Sequence, residues 1–214
     1  MTIIDWKVDN VSVVIVAQSH NPSIVNPDFL KNNGIVARDL EPTGPLLITP
    51  VVAQIEYGDI AWMVMPERCT IHERVNAKFQ ESYRVYQCAQ KYIEVLKHIP
   101  YTALGLNWLI HITLNADSHE WVKSKFLKDS EAQKEIVGAE FTLKLQPDDL
   151  SICSLSTKIP DRSSVIVDCN FHFELKNPKS KINELKEILK RVSHYQDVLS
   201  GYLNKYFLEE ENTT

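Results

Sequence analysis

The chain has 214 residues, 44% of them hydrophobic and 24% charged, with a net charge of −5 and a pI near 5.8. That balance suits a folded domain with a sizeable core and argues against a broad phosphate-binding surface, which needs a concentrated excess of Lys and Arg. No run approaches the roughly 18 apolar residues of a membrane span, and residues 1–7 lack the basic-then-apolar pattern of a secretory leader, so a cytoplasmic protein is expected.

The first element is a strand over residues 11–17, β-branched and apolar on both parities. Residues 20–48 follow as a long ordered loop. Its steps Asn21-Pro22 and Asn26-Pro27 forbid a continuous helix or a central strand, and Ile24, Phe29, Leu30 and Ile35 are its apolar anchors. A hairpin comes next, with arms near 51–57 and 60–65 about a Gly58-Asp59 turn. Residues 69–73 form a short strand. The spacing of Phe79, Tyr83, Tyr86, Gln90, Ile93 and Lys97 then predicts an amphipathic helix over about 76–98, closed by Pro100.

The second half opens on the most regular strand. Leu104, Leu106, Trp108, Ile110, Ile112 and Leu114 occupy every other position, and the opposite parity carries Gly105, Asn107, His111 and Thr113. A short helix over 118–127 follows, capped by Asp117 or Ser118. Strands are read at 141–145, 150–158 and 165–175, the first two joined by the turn Pro147-Asp148-Asp149. One long helix ends the chain. Asn177 caps it, Pro178 lies in its first turn, and an apolar stripe runs from Ile182 to Tyr206, about seven turns at 3.6 residues each.

These elements make an α+β fold: antiparallel sheet backed by long amphipathic helices, in a single domain over 1–214. Element order suggests two β-β-β-β-α pseudo-repeats, 1–99 and 100–208, sharing one core, with an acidic disordered tail at 209–214. Several antiparallel strands followed by a long helix resemble the SecB export chaperones. The segment Tyr101-Thr102-Ala103-Leu104-Gly105-Leu106-Asn107-Trp108 also resembles a motif of uncharacterised bacterial proteins of that architecture. The resemblance implies helices on one face of the sheet and protein binding rather than catalysis, and it transfers no functional residue.

Catalytic signatures are missing. Cys69, Cys88, Cys153 and Cys169 form no C-x-x-C pair and read as free thiols of a reducing compartment. The seven histidines show no metal-binding spacing, although His111 and His172 share the polar parity of two strands that could be neighbours. Glu184-Leu185-Lys186 has the letters of a nuclease motif but lies in a helix. Six glycines, none clustered, build no phosphate cradle. The lysines of 179–191 alternate with Glu184 and Glu187 as a solvated face does.

The expectation is therefore a non-enzymatic protein-binding or assembly protein. It would be chaperone-like or an accessory subunit of a bacterial complex, and a homo-oligomer. No catalytic, cofactor or metal residue is assigned, and direct nucleic-acid binding is not expected. Candidate interaction residues are Asn21, Pro22, Asn26, Pro27 and Phe29 in the loop, as a recognition segment or a strap over a sheet edge, and Tyr195, Tyr202 and Tyr206 on the last helix. Two alternatives stand: an enzyme with a scattered site at His111, His172 or Asp168 on a sheet face, and a component of a nucleic-acid-associated defence or toxin–antitoxin system.

Overall fold

A computed structural model describes residues 3–127, 139–176 and 181–208. The expected cap at Asn177 and Pro178 and the expected tail at 209–214 lie outside the described residues.

One antiparallel sheet of nine strands organises the molecule. Its strands are β1 (Ile3–Ala17), β2 (Leu47–Ile48), β3 (Ala53–Tyr57), β4 (Ile60–Met65), β5 (Arg68–Ala77), β6 (Tyr101–Leu114), β7 (Thr142–Leu145), β8 (Ile152–Asp161) and β9 (Ser164–Glu174), in the order β2-β3-β4-β5-β1-β6-β9-β8-β7. The order is symmetric about its centre. From the β1–β6 pair, β5, β4 and β3 run outward one way and β9, β8 and β7 the other. In each half the chain leaves its central strand, crosses to the edge and meanders back. Among the described strands only β2 lacks a counterpart.

Helices cover one face: α1 (Pro27–Asn32), α2 (Arg84–Val95), α3 (Ser118–Phe126), α4 (Lys181–Lys190) and α5 (Val192–Leu203). None is long and apolar enough to cross a membrane. The alternating apolar residues face them. Opposed across the central pair are Val11 and Trp108, Val13 and Leu106, and Ile15 and Leu104, all fully buried. Val165, Val167, Cys169, Phe171 and Phe173 continue the same layer along β9. The other parity, with Ser12, Val14, Asn107, His111, Asp168 and Asn170, is only half-buried and forms an open face. One-sided burial is what strict alternation in a strand encodes.

Four expectations need correction. β1 begins eight residues before the expected strand at 11–17, because a bulge near Asp9 shifts its register against both neighbours. The bulge lets Val8 and Val11 both face the core, and it breaks the period-2 pattern that marks a strand.

The helix expected over 76–98 is shorter, because β5 runs on to Ala77. Asn76 turns there with a left-handed φ of 51°, and Phe79 packs edge-on against Trp6 at 5.3 Å instead of joining a helical face. α2 starts only at Arg84.

The loop 20–48 contains a 3-10 turn (Pro22–Ile24), α1 and β2. Asn21 and Asn26 are helix caps, their side chains accepting from the Ser23 and Phe29 amides at 3.1 and 2.8 Å, and each following proline starts a helical turn. Val25, Leu30, Ile35 and Val36 are buried anchors, whereas Ile24 is exposed.

The single C-terminal helix is broken at Arg191 and ends in a π-type turn, Asn204–Leu208. Its buried stripe runs Leu185, Ile188, Leu189, Val192, then Tyr195, Leu199, Leu203, Phe207. The last four recur every four residues. A straight 3.6-residue helix would carry them off the sheet, and the break and the wider last turn keep them on it.

Candidate functional site

The open face places the expected acid–base candidates together without joining them. β6 and β9 are neighbours, with His172 opposite Gly105 and His111 opposite Ile166. The two imidazoles share a face but lie six residues apart along the sheet, about 20 Å at 3.4 Å per residue. Two of the three candidates have partners of their own: His111 Nδ1 lies 3.2 Å from Asp9, which also pairs with Lys7 at 3.4 Å, and Asp168 accepts from Lys158 at 2.9 Å. Between them runs a polar row in which Asn170 donates to Asn107 and Asn107 donates to Ser12 at 3.2 Å. Among the described residues no three His, Cys, Asp or Glu side chains gather closely enough to hold a metal.

All four cysteines are free and buried. Burial pushes the thiols of Cys69, Cys88 and Cys153 up to about 12, and that of Cys169 well above its usual value. Such thiols are not nucleophiles at neutral pH. Glu184 and Lys186 lie on α4, and Lys186 pairs with Glu94 of α2 at 2.8 Å, tying the two helices together.

The candidate interaction residues fall into two groups with different surroundings. Asn21, Pro22, Asn26 and Pro27 start the 3-10 turn and α1, and Phe29 leans half-buried on the core. Tyr195 is a core residue. Its ring lies 4.9 Å from Phe173 and 5.5 Å from Phe171, and its hydroxyl donates to Asp148 at 3.2 Å. Tyr202 and Tyr206 are half-buried, 6.2 Å apart. No hydrogen bond or ring contact joins the two groups among the described residues.

Two features that sequence reasoning missed lie in the first half. The first is an apolar edge at β2. Leu46, Leu47, Ile48 and Val51 are 50%, 45%, 37% and 67% exposed, and Met63, in the same cross-strand row as Leu47 and Gln54, is 39% exposed. Pro45 and Pro50 bracket it and the Thr49 amide donates to the Val52 carbonyl at 2.8 Å, so the amides an added strand can use are those of residues 46–48 that point away from β3. The opposite edge, β7, exposes Thr142 and Lys144 and turns Leu143 and Leu145 to the core. Among the described residues of the second half, Leu150 and Ile152 are the exposed large apolar ones. The sequence signal was the run Leu46-Leu47-Ile48, which passes for loop anchors because two prolines flank it.

The second feature is a concavity of about 720 Å³ on the helix-covered side, walled by residues 31–40, the β3–β4 hairpin and α2. Tyr57 and Trp62 form part of its wall, edge-to-face at 5.8 Å. The Tyr57 hydroxyl and the Trp62 Nε1–H are buried without a hydrogen-bond partner. An unpaired buried polar group costs about 1–3 kcal/mol and calls for an explanation. Burial, with Glu41 and Asp28 adding to it, keeps the Tyr57 hydroxyl above its ordinary pKa.

Arg84 lies at the rim, fixed by Glu73. This buried carboxylate accepts from Arg84 Nε at 3.1 Å and from the Val85 amide at 3.0 Å, in the first turn of α2 where no side chain caps the helix. Because only Nε is engaged, the terminal guanidinium nitrogens stay uncommitted. No protein-family model matches the chain, and no curated protein is significantly similar to it.

Proposed function

We propose that this chain is a non-enzymatic protein-binding protein that takes up a short, extended, apolar segment of a partner protein along β2. The observation that carries the reading is the exposed group Leu46, Leu47, Ile48, Val51 and Met63 on and around β2, the described strand that breaks the symmetry of the sheet. An edge strand has free backbone donors and acceptors on its outer side, and alternate side chains of an added strand supply specificity. Natural sheets blunt such edges with charge. Here two prolines limit its length instead, which restrains open-ended pairing while leaving the apolar side chains available.

Size favours an extended segment over a second copy. Five part-exposed side chains offer on the order of a few hundred Å², below the roughly 800 Å² per partner of a stable dimer. The likeness in element order to the SecB chaperones points the same way. Four buried free thiols suit a reducing compartment such as the cytoplasm.

The test is binding of fluorescent hexapeptides, apolar and β-prone, to the wild type and to Leu47→Lys/Ile48→Lys. The wild type should bind, and the variant should bind at least about tenfold more weakly. Its thermal stability should be nearly unchanged, since exposed substitutions usually shift stability by no more than about 0.5 kcal/mol. Equal binding by both proteins would overturn the assignment to β2. A wild-type dimer that this variant dissociates would instead put a second copy on the edge.

A further inference from the structure

We propose that the concavity between residues 31–40 and α2 is a binding site for a small phosphorylated molecule. Its volume, about 720 Å³, lies in the range of small-molecule sites, roughly 300–1,000 Å³. Four of its lining side chains are cationic: Lys31 and Arg38 from the loop 20–48, Arg84 and Lys91 from α2. Among the described residues no carboxylate lines it. Three of the four are paired with carboxylates outside the lining, Glu41, Glu73 and Glu94, which leaves Arg38 as the lining cation without an ion pair among the described residues.

The cations differ in how they are held. Lys31 is drawn aside by Glu41 at 2.6 Å, and Lys91 lies 3.7 Å from Glu94. Arg84 is positioned by the buried Glu73 through Nε alone, so its two terminal nitrogens can take a phosphate side-on. Arg38 is exposed and has no ion pair among the described residues. A guanidinium that is oriented but not consumed, lining the same cavity as a second without an ion pair, is an arrangement suited to a tetrahedral dianion.

Tyr57 and Trp62 close the cavity from behind; they are only 5% and 0% exposed, and their unpartnered O–H and N–H are sealed within that wall. Gln87 adds an amide from the α2 side. A phosphate seated here meets the guanidinium groups of Arg84 and Arg38, with the Gln87 amide beside them. The site is separate from β2, so Leu47→Lys/Ile48→Lys leaves it intact.

The test is isothermal titration of the full chain with ATP, AMP, adenosine and pyrophosphate, repeated on Arg38→Ala and on Arg38→Ala/Lys91→Ala. Both substitutions remove exposed side chains and leave the Arg84–Glu73 pair in place, and unchanged melting of the unliganded variants verifies the fold. ATP should bind the wild type, the single variant should lose about tenfold and the double variant about a hundredfold. Adenosine alone should bind at least a hundredfold more weakly than ATP. Pyrophosphate should bind comparably to ATP, and adenosine binding as tightly as ATP would overturn the anion site. Absence of binding by every phosphate compound, or equal binding by wild type and double variant, would overturn the site.

Discussion

Trp108 is the residue on which both halves of the molecule lean. It is fully buried on β6, opposite Val11 of β1, with its ring 5.7 Å from Phe171 of β9 and 6.4 Å from Tyr86 of α2. Truncating so large a core side chain to Ala costs about 3–5 kcal/mol, the lost transfer energy plus the cavity left behind. For a chain of this size each kcal/mol moves the melting temperature by about 2–4 °C, so Trp108→Ala should melt about 6–20 °C lower. Trp108→Phe separates the causes. Its indole N–H has no partner, so the smaller ring loses volume but also removes a buried donor that costs free energy. Phe should therefore cost less than about 1.5 kcal/mol. Calorimetry and urea unfolding, followed by far-UV and near-UV circular dichroism, measure both. A cost below about 1.5 kcal/mol for Ala, or Phe as damaging as Ala, would refute the reasoning. So would two separate transitions in the wild type, because the β1–β6 pair leaves neither half a core of its own.

Stability should fall on mild acidification. Burial holds the imidazoles of His20 and His72 below their ordinary pKa, so the unfolded chain takes up protons first. Their contribution is complete above about pH 6.5 and declines as the pH drops from there toward the lowered folded values; the urea midpoint should be lower at pH 5 than at 7.5, with a smaller difference in His20→Gln. Asp148 behaves as an acid of the opposite kind. Burial works to raise its pKa, but hydrogen bonds from Ser151, Leu150 and Tyr195 outweigh it and hold the carboxyl below its usual range. Asp148→Asn should therefore cost about 1–2 kcal/mol at pH 7 and progressively less as the pH falls below about 3.8, which urea titrations at pH 7 and 3 compare. A thiol reagent at pH 8 should label the native protein slowly and first at Cys88, the one thiol residue with residual exposure, and all four cysteines at once in urea; fast native labelling of Cys69, Cys153 or Cys169 would contradict their burial.

Much of the sheet was legible because one face packs and the other does not. From Leu104 to Leu114 every second residue is apolar, and all six of those side chains face the helices. The hairpin at Gly58-Asp59, the capping role of Asp117 and the turn before β8 followed from turn and cap chemistry. The misreadings have local causes. The bulge at Asp9 dislocates the alternation of β1, and Phe79 and Tyr83 mimic a helical face while packing elsewhere. Asn21 and Asn26 initiate helical turns where the Asn-Pro steps were taken only as interruptions, and the four-residue stripe after Val192 hides a break. The cavity could not be read at all. Lys31 and Arg38 meet Arg84 and Lys91 only because the loop folds across α2, some fifty residues later in the chain, and no local pattern records that.

Native-state hydrogen exchange with residue resolution tests the centre and the edge of the sheet in one experiment. The amides of residues 11–15 and 104–110 should exchange slowest, with one shared opening free energy. Those of residues 46–48 that face away from β3 should exchange fast and become protected when an apolar hexapeptide is added. Fast exchange along β1 and β6, or an edge at 46–48 that no peptide protects, would contradict a single cooperative sheet with one edge left open for a partner.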